Sequence, residues 1–274
     1  GCSIELSTAT PPALKQRTGF EFGLENVREI IDNSSALSTD LKRVTYHWPS
    51  TDDPPVEWPS LATQLSQHEQ VLTIVHKRDD ARQLTEVLQN VVSRKSIFHL
   101  SALMCPAHRS VVLAQVKNAL NNNNPCRLVS TQLIEAGVDV DFPFVYRALG
   151  GMDSIVQAAG RCNREGRLSE GHVFIFHAPS APPSGTPQRA LATTQILLNQ
   201  YGESLDPNDP ALFDEYFSKL YSATHPDPRG IQESRKSFNF AIVSKDFRLI
   251  EDGFTHTIIV PYKKSANLLA DIRK

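Results

Sequence analysis

The segment best suited to chemistry is Gln157-Ala158-Ala159-Gly160-Arg161-Cys162-Asn163-Arg164. Two arginines three apart at a helix start project to one side, one turn from each other. The glycine before them lets a backbone or a phosphate come close. Guanidinium forks suit phosphoryl oxygens, because they supply charge and paired hydrogen bonds together. An arginine over a terminal phosphate stabilises transition-state charge by roughly three to five orders of magnitude in rate. The same pattern also describes a surface helix with two solvated arginines. A second segment runs from Arg127 to Asp139, RLVSTQLIEAGVD. Its strand ends in Ser130-Thr131, and hydroxyls at a strand's carboxyl end sit where α/β sheets bind ligands. Asp139, after a glycine, can accept from a ribose hydroxyl or serve as an ordinary turn residue. A third segment, Thr8-Ala9-Thr10, means nothing alone.

These residues need a scaffold, and the hydrophobic patterning supplies one. Cys2–Thr8 reads as a strand that ends before Pro11-Pro12, Asn26–Asp32 as a short helix and Lys42–Trp48 as a strand. Ser50–Pro59 holds three prolines and reads as a loop. The pattern is then regular. Strands are expected over Val71–Val75, Ser96–Leu100, Cys126–Thr131, Phe144–Leu149 and Gly171–His177. Helices are expected over Asp79–Val92, with Asp79 as N-cap, and over Pro106–Leu120, stopped by the Asn121–Asn124 run; a third opens at Ser154–Gly160. Strands alternating with helices imply a parallel sheet covered on both faces, an α/β Rossmann-like lobe. Pro179–Pro187 reads as a linker. Beyond it Arg189–Gln200 and Ala211–Tyr221 read as helices, Phe247–Ile250 and Thr257–Val260 as short strands, and Lys264–Ile272 as a closing helix.

Composition narrows the class. The chain has 274 residues, 40% hydrophobic and 21% charged, with a formal net charge of −2. That is enough apolar material for a core, and it excludes a disordered chain. The longest apolar runs fall far short of the roughly 20 residues that a membrane span needs. Four cysteines stand singly, with no zinc spacing and no disulfide framework, as expected of reduced thiols in the cytoplasm. Near-neutral charge hides a local bias: Val71–Arg127 carries eight lysines and arginines against Asp79, Asp80 and Glu86. Such an excess suits either a phosphate-binding surface or a solvated helix face. The chain begins without methionine in what reads as a strand, so a fragment of a longer protein is expected.

In this order and spacing the motifs resemble the second half of a superfamily-two helicase motor. Thr8-Ala9-Thr10 matches the S/T-A-T motif that ends the first RecA-like lobe, and Val71–Arg78 the strand-and-basic motif that opens the second. His99-Leu100-Ser101 with Cys105–Arg109, then Ser130–Asp139 and Gln157–Arg164, resemble the motifs that follow. The wording STQLIEAGVDVDF and DSIVQAAGRCNREGR is similar to the helicase part of the CRISPR-associated helicase–nuclease of type I systems, as, less tightly, are FRLI and IIVPY in the tail.

The resemblance implies a layout and a set of roles. Residues 1–40 would end the first RecA-like lobe and link the two, 41–178 would be the second lobe, 179–188 a proline-rich linker, and 189–274 a mostly helical C-terminal accessory region. Arg161 and Arg164 would be arginine fingers on the ATP γ-phosphate. Gln157 would hold the nucleotide-facing surface, with Gly137 and Asp139 on the ribose side. Arg78, Ser101 and Thr131 would touch nucleic-acid phosphates, and Thr8 and Thr10 would couple hydrolysis to that cleft. Partners would be single-stranded DNA, the guide-RNA surveillance complex (Cascade), and the N-terminal nuclease and first motor lobe. No metal site is expected in this chain. It has no GxxxxGK[ST] phosphate loop, no strand-end Asp-Glu-x-x motif for Mg²⁺ (Asp214-Glu215 falls inside the expected helix Ala211–Tyr221) and no His-Asp pair of the HD nuclease. Hydrolysis needs the metal and the phosphate cradle as well as the fingers, so the chain alone is expected to be inactive. Two further readings stay open: a non-catalytic docking module for a protein or single strand, and a DExH RNA helicase lobe.

Overall fold

The structure, a computed structural model, describes residues 5–8, 10–17, 20, 23–31, 34–135, 137–223, 227–247, 260 and 262. They fall into two compact units, one within Gly1–Ala13 and Asn26–Leu220, the other within Leu14–Glu25 and Tyr221–Lys274. The first contains a parallel six-stranded sheet. Its strands are β1 (Val44–His47), β2 (Gln70–Val75), β3 (Ile97–Leu100), β4 (Cys126–Thr131), β5 (Phe144–Ala148) and β6 (Gly171–Phe176). They lie in the order β1-β6-β5-β2-β4-β3. The central strands are near-continuous apolar runs because both faces are covered. Leu72, Ile74, Leu128 and Val145 point to one side, where helices α4 (Pro106–Asn121) and α5 (Met152–Ala159) pack. Val71, Val75, Val129 and Ala148 point to the other, against α2 (Trp58–Ser66) and α3 (Arg78–Leu88). Helices α6 (Thr186–Tyr201) and α7 (Pro210–Ser222) follow β6, and the second unit holds the short helices α8 (Ile231–Lys236) and α9 (Phe240–Asp246). The α/β lobe and the helical C-terminal part agree with the expected fold class.

Several local expectations need correction. Residues 26–31 are not helical; a short helix, α1, comes later at Ser34–Asp40. Residues 5–8 form no strand, and Cys2–Ile4 lie outside the described residues. Trp58 and Pro59 already belong to α2, with proline in the first turn, where its missing N–H costs nothing. Lys77, not Asp79, caps α3; Asp79 and Asp80 sit in its first turn, where carboxylates favour the positive helix end. The proline-rich stretch is tied down: Ser180 Oγ donates to Asp80 Oδ2. Of the tail, Phe247 follows α9 without forming a strand and Val260 is irregular; 248–259 and Lys264–Ile272 lie outside the described residues.

At the centre of the sheet sits a charge. Arg147, in β5, is fully buried. Its Nε lies 2.9 Å from Glu135 Oε1, while Nη2 donates to Ser154 Oγ at 2.6 Å and Nη1 to the Ala148 carbonyl at 3.0 Å. Ser154 Oγ in turn donates to Glu135 Oε2 at 2.9 Å. Burial raises the Glu135 pKa, and the Arg147 charge opposes that rise. Beside them, between the carboxyl ends of β2 and β5, His76 Nε2 donates to the Leu149 carbonyl at 2.9 Å. Burial, then the Arg147 charge, lowers the His76 pKa to about 4.

Two predictions follow from these groups. Arg147→Met strands the Glu135 carboxylate in the core and should cost about 3–5 kcal/mol in urea unfolding. Adding Glu135→Gln should recover part of that loss, since no charge is then left unpaired. For His76, the unfolded chain takes up a proton near pH 6.5 that the fold refuses until about pH 4. Stability attributable to this ring therefore falls as pH falls through that window, by about 3 kcal/mol. Urea titrations at pH 7 and pH 4 should show a smaller loss in His76→Asn by that order.

Candidate functional site

The connection from β4 to β5 builds one wall of the site. After Thr131 the chain makes a 3₁₀ turn over Gln132–Ile134, and Glu135 turns its carboxylate inward to Arg147. Gly137 adopts φ +70°, a left-handed conformation that L side chains rarely take. Asp139 is exposed, whereas Val140 and Phe142 are buried and anchor the segment.

The second wall follows helix α5. The helix ends at Ala159 with Gly160 as its C-cap. Arg161 and Arg164 therefore lie beyond the helix, not at its start, and the expectation that they share one helix face is wrong. What displays them is a buried turn. Phe142 N–H donates to the Arg161 carbonyl and Asn163 N–H to the Phe142 carbonyl, each at 2.9 Å. Cys162 and Asn163 are buried. Asn163 takes φ +44°, and its amide bonds the Arg43 carbonyl at 3.1 Å and both backbone groups of Leu168. Asp141 accepts from the backbone N–H of Arg164 at 2.7 Å. With the two middle residues fixed inward, the flanking arginines face out.

The two arginines have different surroundings. Arg161 is half-buried; Nε donates to the Ile134 carbonyl at 3.1 Å and Nη2 to the Glu135 carbonyl. Burial and then the neighbouring Arg164 charge lower its pKa, though a guanidinium stays charged in water-accessible sites. Arg164 is exposed and pairs with Asp139, Nε to Oδ1 at 3.2 Å, with the two side chains 42% and 69% exposed. A pair that open is worth at most about 1 kcal/mol. An anion can thus replace Asp139 on Arg164 at little cost. Arg161, Arg164, Asp139 and the Gly137 turn are brought together here; Gln157 lies on the exposed side of α5, near its end.

A separate group collects at the carboxyl edge of the sheet. Thr131 is paired with Val75, and Ser130 with Leu100, so Ser101 follows beside Thr131 and Arg78 opens the helix after β2. Arg78 is exposed, whereas Ser101 and Thr131 are largely buried. Thr8 and Thr10 form a local turn in which Thr10 N–H donates to Thr8 Oγ1 at 3.2 Å; Ala9 lies outside the described residues. Not all of the basic excess is available. Arg127 is buried and bonds Ser96 Oγ and the Ser66 carbonyl, and Arg82 pairs with Asp79 and Glu86.

Glu135, Arg147 and Ser154 were not anticipated. The signal was present: a charged residue inside the apolar run Val145-Tyr146-Arg147-Ala148-Leu149 must find a buried partner. Among the described residues no group of three or more His, Cys, Asp or Glu could hold a metal ion, and no helix is long and apolar enough to cross a membrane.

Residues 67–167 match the family described as the C-terminal part of the CRISPR-associated nuclease/helicase Cas3. That stretch contains both walls of the site and the edge residues Arg78, Ser101 and Thr131. A CRISPR-associated nuclease/helicase Cas3 of Haloferax volcanii is 50% identical over 68 residues, 24% of this chain and 7% of that protein. One of Methanothermobacter thermautotrophicus is 26% identical over 156 residues, 54% of this chain and 18% of that protein. The chain thus spans well under two thirds of these relatives. Among solved structures, T. fusca Cas3 with ADP superimposes with a TM-score of 0.54 at 16% identity, over 74% of this chain and 27% of that one. A chain of a CRISPR RNA-guided surveillance complex before nicking gives 0.50 at 19% identity, over 74% and 28%. These solved structures share the lobe's fold, and residues 67–167 are similar to the C-terminal part of Cas3-type nuclease/helicases.

Proposed function

We propose that this chain supplies the second motor lobe of an ATP-dependent, single-stranded-DNA translocase of the type I CRISPR helicase–nuclease. The observation that carries the reading is the pair Arg161 and Arg164, held outward by a buried turn, with only an exposed carboxylate on Arg164. In this reading ATP arrives on a first lobe that cradles its phosphates and holds Mg²⁺. Closure of the lobes exchanges Asp139 for the γ-phosphate on Arg164, while Arg161 keeps its carbonyl partners and adds a second positive charge. Asp139, released, accepts from the ribose, and the Gly137 turn gives it room; Gln157 lines the same surface. Electrostatic stabilisation by the two guanidinium groups is the catalytic contribution of this chain. Arg78, Ser101 and Thr131 hold the DNA backbone at the carboxyl edge of the sheet, where contacts to phosphates position a strand without reading its sequence. Thr8 and Thr10 couple that edge to closure.

Solved Cas3 structures described with ADP, ATP and AMPPNP support the nucleotide assignment, and the surveillance-complex structure supports a guide-RNA complex (Cascade) as partner. In the same reading residues 1–40 end the first lobe, 41–178 are the second, 179–188 link it to an accessory region over 189–274, and the parent works in the cytoplasm with a separate HD nuclease.

The test is ATP hydrolysis by this chain, alone and mixed with a separately made first lobe, with and without single-stranded DNA. The expected result is silence alone and DNA-stimulated activity on mixing, lowered about 10³-fold by Arg164→Ala. Hydrolysis by the chain alone, or an unchanged rate in Arg164→Ala, overturns the proposal. A second measurement addresses the edge. Arg78→Ala should weaken single-strand binding equally for all sequences and flatten the dependence of log K on log salt by about 0.7.

A further inference from the structure

The outer edge of the sheet beside β3 carries a feature that the motor reading does not use. Strand β3 pairs with β4 on one side only. In a strand every second residue turns its N–H and C=O away from its partner, so β3 presents half its backbone groups outward. Among the described residues, apart from the bond of Ile97 N–H to the Arg94 carbonyl at the start of the strand, none of the backbone hydrogen bonds reaches those groups from another element. Alongside runs a groove of about 660 Å³ between β3 and α4. It extends from Met104 and His108 at the carboxyl end of β3 to Arg94, Lys95 and Pro125 at its amino end. Its floor is apolar, with Phe98, Ile97 and the buried Val112.

The charge around it has one sign. Arg94 and Lys95 are exposed, His99 and His108 line the walls, and no carboxylate does. The reason lies in the sequence: from Val87 to Ile134 there is no Asp or Glu.

From these observations we infer that the β3–α4 groove binds an extended, acidic peptide segment of a partner protein by strand addition. The open edge supplies backbone hydrogen bonds in register, and the two faces of the added strand meet different surfaces. Side chains on the α4 side rest against Phe98 and Val112. Those on the other side lie over Ile97 and His99. Carboxylates meet Arg94 and Lys95 at one end. A nucleic acid, the other polyanion, has phosphates that can accept from the N–H groups but no donors in strand register for the alternating C=O groups, and the groove's basic end lies at the opposite edge of the sheet from Arg78, Ser101 and Thr131. The inference does not depend on the motor assignment.

The experiment uses the full 274-residue chain and a fluorescein-labelled decapeptide of alternating glutamate and valine, followed by fluorescence anisotropy. A lysine–valine decapeptide and a 20-nucleotide dT oligomer are the comparisons. The expected result is saturable binding of the glutamate peptide, at least ten-fold weaker in the double variant Arg94→Glu, Lys95→Glu, with slowed hydrogen exchange of the Ile97–His99 amides on binding. Both substituted residues are exposed, so the fold survives the change, and an unaltered far-UV spectrum checks it. No binding up to millimolar peptide, equal binding of the lysine peptide, an unchanged affinity in the double variant, or displacement by dT overturns the inference.

Discussion

The site depends on one buried ion pair. Arg147 and Glu135 are removed from water almost completely, and burial alone would make each unfavourable. Together with Ser154 they pin three pieces of chain that also share apolar packing through Ile134, Val145 and Ile155: the middle of the sheet, the turn after β4 and the first turn of α5. The backbone carbonyl of that same Glu135 accepts from Arg161. A charge in the core thus fixes where a charge at the surface points. Apolar side chains could fill the volume, but they would not specify which way the Glu135 turn faces.

The glycines at the β5–α5 junction extend the same constraint. A Cβ on Gly150 would come within 3.2 Å of the His76 ring, and one on Gly151 within 2.8 Å of the Tyr216 hydroxyl. That hydroxyl donates to Asp153 at 3.0 Å, so α7 is tied to the start of α5. Close approach here is what lets the α5 helix begin directly above Arg147. His76 fills the remaining space between β2 and β5, the place where the outgoing connections of neighbouring strands diverge and where α/β sheets commonly bind ligands. In this lobe the buried His76 ring occupies that crevice, and the two arginines lie on the turn beyond α5.

The sheet was legible in the sequence because its central strands are short apolar runs with clear punctuation. Cys126–Thr131 appears with the boundaries that the pattern predicts. Helix α2 was hidden by its prolines: Ser50–Pro59 reads as pure loop, yet proline is harmless in a first helical turn. The arginine pair stands out in the sequence, but its expected place at a helix start is wrong. Apolar positions Met152, Ile155, Ala158 and Ala159 define the helix, and the periodicity stops at Gly160. Nothing local announces that Cys162 and Asn163 turn inward, because their partners, Phe142 and Arg43, are far along the chain. Arg127 was counted as a surface cation for a related reason: a charge total cannot see that three carbonyl and hydroxyl oxygens have taken it inside.

The contrast between Arg161 and Arg164 follows from that burial pattern. Arg161 donates two of its five N–H groups to carbonyls of a segment that is itself locked to Arg147, so its orientation is inherited from the core. Arg164 owes its orientation to a single exposed carboxylate and to backbone bonds through Asp141 and Arg43. One guanidinium is preorganised and the other exchangeable. Preorganisation removes reorganisation cost when an anion arrives, whereas an exchangeable partner keeps the second charge satisfied until then. A surface with both arginines rigid would carry an uncompensated pair of like charges at all times; a surface with both loose would have to order them on every encounter. The division between them is what a buried turn flanked by two arginines can supply and a regular helix face, with equivalent exposure at both positions, cannot.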